Sequence, residues 1–149
     1  MRIAVLMLVP VVCGCGGLDP QVGDLVNARC RDEDSDPDRD VSFREDVMPL
    51  ILGERDDPGC GCHLPNEPDP IGFTLTGLDL SSYEDLLQGG ANSGGSIVVP
   101  GSPCASILWQ KTGPAPPFGA RMPFDGPPFL SPAARRLVAD WIAEGANDD

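Results

Sequence analysis

Glycine (18) and proline (17) punctuate the 149 residues so closely that long uninterrupted elements are excluded over most of the chain. Proline removes a backbone donor, and glycine costs conformational entropy inside a helix or strand. What remains is a set of short helices joined by turns and extended loops. The length admits one domain and a tail. Hydrophobic residues make up 41% of the chain but aromatics only 5%, so the core is mainly aliphatic and leaves room for a further filler.

Four helices are readable from caps and apolar spacing. The first starts at Ser42, which forms a capping box with Glu45, and carries Phe43, Val47, Leu50 and Ile51 on one face. Pro49 should kink it, and it must stop before Pro58-Gly59. A second runs from Ser81, paired with Glu84, to Gln88 ahead of Gly89-Gly90. A third has Ser102 as cap and Pro103 in its first turn, and continues through Ile107 and Leu108 to Gly113. The fourth begins at Ser131-Pro132, presents Ala134, Leu137, Val138, Trp141 and Ile142, and reaches Gly145. Only Ile97 to Pro100 reads as extended. The predicted fold class is all-α, with no repeat and no second domain.

The first 14 residues read as a lipoprotein signal peptide. Arg2 precedes ten apolar residues, Ile3 to Val12, too few to span a bilayer as a helix. Val12-Cys13-Gly14-Cys15 resembles a bacterial lipobox with Cys15 as the lipidated residue. That predicts an exported protein, lipid-anchored in the cell envelope and facing the periplasm or the cell surface. Gly16, in place of aspartate, favours the outer membrane. Export also permits disulfides and covalent haem attachment.

Residues 15 to 40 read as an acidic tether, solvated rather than packed. Between Asp32 and Asp57 lie 11 of the chain's 23 acidic residues, which places the net charge of −13 mainly in one segment. Such a charge repels nucleic acid and favours partners with basic patches. Asp34, Asp36, Asp38, Asp40 and Glu45 fall at the ligand spacing of a calcium loop. The position that needs glycine for the sharp turn is Arg39, which argues for a spacer instead.

The chemistry concentrates in CGCH, residues 60 to 63, which contains the only histidine. Covalent haem attachment usually reads C-x-x-C-H. Cys62-His63 supply the second half, but the first cysteine would fall at position 59, which is glycine. Cys60 lies about 200° from Cys62 on an α-helix, so it is the secondary candidate for a thioether. A zinc site from Cys60, Cys62, His63 and Cys104 has suitable ligand types but unusual spacing. A structural histidine beside a disulfide, with Cys60–Cys104 as the bridge and Cys30 left over or pairing with one of them, is the third reading.

Six segments in order bear on that choice: VSFREDVMPLIL, then CH, GLDLSSYEDLLQGG, SIVVPGSPCASILWQK, RMPFDGPPFL and ADWIAEGA. Together they resemble the planctomycete-type cytochrome c domain family of exported bacterial proteins, over about residues 41 to 146. The resemblance implies a small cytochrome c-like helical domain over residues 41 to 149, with long Pro/Gly-rich loops and haem c as cofactor. It implies His63 as the proximal iron ligand, Cys62 as the thioether and Met122 of the RMP segment as the distal iron ligand. Met48, the other candidate sulfur, suits helix packing better. With both axial positions filled, the implied function is electron transfer, one electron at a time, between extracytoplasmic redox proteins.

No enzymatic activity is expected. A nucleophile–histidine–carboxylate arrangement would consume the single histidine, and G-G-A-N-S-G-G lacks the strand and helix of a phosphate loop. The competing expectation is a haem-free, disulfide-stapled structural or interaction module on the same scaffold.

Overall fold

The computed structural model describes residues 30 to 149, and Cys15 and the proposed signal peptide lie outside them. The described chain is helical with no strand. It opens with a turn, Asp32–Asp34, and a widened π-turn, Phe43–Val47, that runs into α1, Met48–Leu52. Then come α2, Ile71–Thr76, α3, Tyr83–Gln88, α4, Ile107–Thr112, and α5, Pro132–Ala143. Short 3₁₀ turns at Gly61–His63, Gly94–Ser96 and Pro103–Ala105 fill the connections.

Pro49 shapes the first element. It has no N–H to give the carbonyl of Glu45, and its ring would crowd that group in an α-helix. The chain widens into the π-turn just upstream, and the Arg55 guanidinium donates to the Glu45 carbonyl at 2.8 Å. Ser42 caps the turn as expected, accepting from the Glu45 N–H. Gly53 closes α1 in the left-handed region at φ 72°.

The longest helix, α5, follows its pattern. The Ser131 hydroxyl accepts from the Ala134 N–H, and Leu137, Val138, Trp141 and Ile142 are buried. Trp141 lies 5.4 Å from the Phe43 ring, which meets Tyr83 edge-on at 5.3 Å. These rings sit in an aliphatic core of Val41, Val47, Leu50, Ile51, Leu80, Leu86, Ile97 and Leu130. The tail returns over it: Trp141 Nε1 donates to the Asn147 carbonyl, and the Tyr83 hydroxyl to that of Ala146.

Three local expectations change. The α3 cap is Ser82, whose hydroxyl accepts from the Asp85 N–H, because Ser81 is engaged by Asp79. The third predicted helix is interrupted at Ser106, which is extended (φ −83°, ψ 120°) and completely buried. Its hydroxyl donates to the Ser102 carbonyl and accepts from the Val99 N–H, which splits the segment into the Pro103–Ala105 turn and α4. Ile97 is not extended either; it continues the Gly94–Ser96 turn, with its N–H on the Gly94 carbonyl.

Residues 30 to 40 stay mostly exposed but are tied to the domain. Cys30 forms a disulfide with Cys104, closing 74 residues of sequence separation. Asp32 accepts from the Cys104 N–H at 2.7 Å and from the Ser102 hydroxyl at 2.9 Å. Farther on, the buried Asp140 carboxylate accepts from the Asp36 N–H, Arg39 and Arg136. Arg39, at the position where a calcium loop needs glycine, is thus an ion-pair partner. Among the described residues no three metal-ligating side chains converge.

Candidate functional site

Of the pairings the sequence left open, Cys30 with Cys104 is the one formed, in place of Cys60–Cys104, and Cys60 and Cys62 are both free. Asp32 fixes the strap beside Cys104, whereas the Cys60 N–H is bound to the Ile51 carbonyl at 2.7 Å, at the end of α1. Oxidation of Cys104 also removes it as a zinc ligand.

The CGCH segment folds as one 3₁₀ turn. The His63 N–H donates to the Cys60 carbonyl at 2.8 Å, and the Leu64 N–H to that of Gly61 at 3.0 Å. His63 is 8% exposed. Its Nδ1 lies 3.3 Å from the Leu78 carbonyl, which can only accept, so Nδ1 carries the proton and Nε2 keeps a lone pair. Burial holds the His63 pKa below its ordinary value; the Lys111 charge pushes the same way, and the Leu78 bond opposes both. A neutral imidazole with one oriented nitrogen and one unprotonated nitrogen is the form that ligates a metal.

Gly72 lets α2 lie flat on this ring. A Cβ there would come within 2.8 Å of both Cε1 and Nε2 of His63. Sequence reasoning missed α2 and with it Gly72, since no cap announces the helix.

His63 lines a cavity of about 320 Å³, within the ~300–1,000 Å³ range of small-molecule and cofactor sites. Met122 and Cys60 share the wall. Leu75, Leu78, Leu80, Ile97, Leu108, Phe118 and Phe124 make the rest of it strongly apolar. Cys62, by contrast, is exposed and absent from the lining. Met48 packs against the core, away from the cavity. Burial raises the Cys60 thiol to about 11, with Cys62 adding a smaller push.

The Met122 loop is held by the last two residues of α4, chiefly Lys111. The Lys111 carbonyl accepts from the Met122 N–H at 2.8 Å. Its ammonium donates to the carbonyls of Phe118 at 2.7 Å and Ala120 at 2.5 Å, and lies 4.8 Å from the Phe118 ring centroid. Arg121 adds a bond from Nε to the Thr112 carbonyl at 2.8 Å. Backbone and side chain of Lys111 together present the Met122 segment to the cavity.

Two apolar side chains of the wall are conspicuously uncovered: Leu75 and Phe124 are each 73% exposed. Apolar surface of this kind, gathered around an open cavity rather than scattered, marks a binding site. The residues present suit a flat, mainly apolar group with a central metal. Imidazole nitrogen and thioether sulfur are available at the wall, a free thiol lies beside them, and no carboxylate lines the cavity.

No protein-family model, no curated protein and no solved structure matches this chain.

Proposed function

We propose that the cavity holds haem c and that the protein transfers single electrons between extracytoplasmic redox proteins. The observation that carries this reading is the placement of His63 and Met122, the residues assigned by the cytochrome c resemblance, on the wall of one apolar cavity. They are separated by 59 residues of sequence, and neither was placed by the other. The two free thiols of the CGCH turn add to it, since thioether formation needs a reduced sulfur.

In this reading His63 would hold the iron through Nε2, while the Leu78 carbonyl fixes the ring through Nδ1. Met122, presented by the Lys111-bound loop, would supply the thioether sulfur to the iron. Haem bound there supplies a one-electron couple, and His/Met ligation sets it at a raised potential. With imidazole and thioether both engaged, the site would offer no position for substrate at the metal, which supports an electron carrier rather than an enzyme. The acidic residues favour partners with basic patches and a salt-dependent encounter. Delivery as a lipid-anchored envelope protein belongs to the same proposal, resting on Cys15 and the residues before it.

The test is expression of the full chain, with its export signal, in a host that matures cytochromes c. The purified protein should show a Soret band, and Met122→Leu should lower its midpoint potential while leaving haem attached. An unchanged potential would remove Met122 from the site. Colourless protein from a host that matures other cytochromes would remove the haem.

A further inference from the structure

We infer that the single thioether of this chain is made by Cys60 and not by Cys62. The inference rests on the haem c reading and concerns which sulfur this particular turn offers.

The first observation is the turn itself. A 3₁₀ turn advances about 120° per residue, so residues three apart eclipse one another. The bond from the His63 N–H to the Cys60 carbonyl closes that turn, and it sets Cys60 and His63 on one face. Both line the cavity. Cys62, one step back from His63, is rotated away by about a third of a turn, and it is exposed to solvent.

The second observation explains why the sulfur stands at 60 and not at 59. Gly59 lies against the end of α1, where a Cβ would come 2.7 Å from the Gly53 nitrogen, 2.8 Å from its Cα and 3.0 Å from the Ile51 carbonyl oxygen. All three are backbone atoms, and Gly53 is itself held at φ 72°. Position 59 therefore has no room for any side chain. The next residue is the first that can carry a thiol, and its N–H is fixed to the Ile51 carbonyl. One anchored thiol beside the proximal imidazole replaces the usual pair.

The bond formed is an addition. The Cys60 S–H breaks, sulfur bonds to the inner carbon of one vinyl group, and the hydrogen goes to the terminal carbon. Electrons balance without an oxidant or reductant, and the second vinyl group is left intact.

The experiment is fragment mass spectrometry on the matured full chain, after protease digestion of wild type and of the Cys60→Ser and Cys62→Ser variants. The expected result is haem mass on Cys60 in wild type, retained in Cys62→Ser and lost from Cys60→Ser. The wild-type measurement stands even if a variant misfolds. Haem mass on Cys62 of the wild type, or on both sulfurs, overturns the inference and leaves the haem reading intact. Wild-type protein with no haem mass at all overturns both.

Discussion

At the scale of single residues, His63 does most to define the site. Its neutral form is favoured by burial and by the nearby Lys111 charge, so the folded chain resists protonating it. The unfolded chain binds that proton with the ordinary value near 6.5, and stability therefore rises with pH wherever the unfolded state holds more protons. In the haem-free chain this contribution should be complete above pH ~6.5 and diminish as the pH falls through that value toward the lower folded one. Urea unfolding of wild type and His63→Gln between pH 8 and pH 5 checks it. The wild type should lose more stability on acidification than the variant; parallel curves would mean that the ring titrates alike in both states. His63 was legible in the sequence because it is the only histidine and follows a cysteine. Gly72 and the Leu78 carbonyl, which fix its orientation, were not, because their role arises only when α2 and the following loop are folded onto the ring.

Among the elements, legibility followed how much of the signal was local. The cap and the apolar stripe of α5 are both contained in its own residues, and the helix forms where they place it. Ser81 and Ser82 each precede an acidic residue by three, and the choice between them was made by Asp79, outside the helix. The break at Ser106 depends on bonds to Ser102 and Val99, which helical spacing alone cannot register. The Met122 loop belongs in the same class. Its prolines were visible, but its attachment to α4 through Lys111 was not. Lys111→Met keeps the length of the stem and removes two hydrogen bonds to carbonyls, so the loop should loosen by about 1–2 kcal/mol at this exposed site. In the matured protein Met122 ligation should weaken, read as a lower midpoint potential and faster uptake of an external ligand such as imidazole. A potential and an uptake rate equal to wild type would show that Lys111 does not position the loop.

For the molecule as a whole, the strap from Cys30 to Asp40 converts an apparent tether into part of the folded unit. The Cys30–Cys104 disulfide restricts the unfolded chain over a long loop, a contribution of about 2–4 kcal/mol. The double variant Cys30→Ser/Cys104→Ser should lose roughly that amount in urea unfolding, while haem attachment at the CGCH turn is retained. Loss of attachment with an intact fold would tie the strap to the site instead. The fold class was readable from cap and spacing patterns, and the attachment of the strap was not, since an acidic run carries no sign that Asp32 will accept from the Cys104 N–H or that Asp140 will accept from Arg39. The central claim is that His63 and Met122 hold one iron between them. Near-infrared magnetic circular dichroism of the ferric, matured protein tests it most directly. The account predicts the charge-transfer signature of histidine–methionine ligation, lost in Met122→Leu. A signature of any other axial pair in the wild type, or a matured protein without iron, would contradict it.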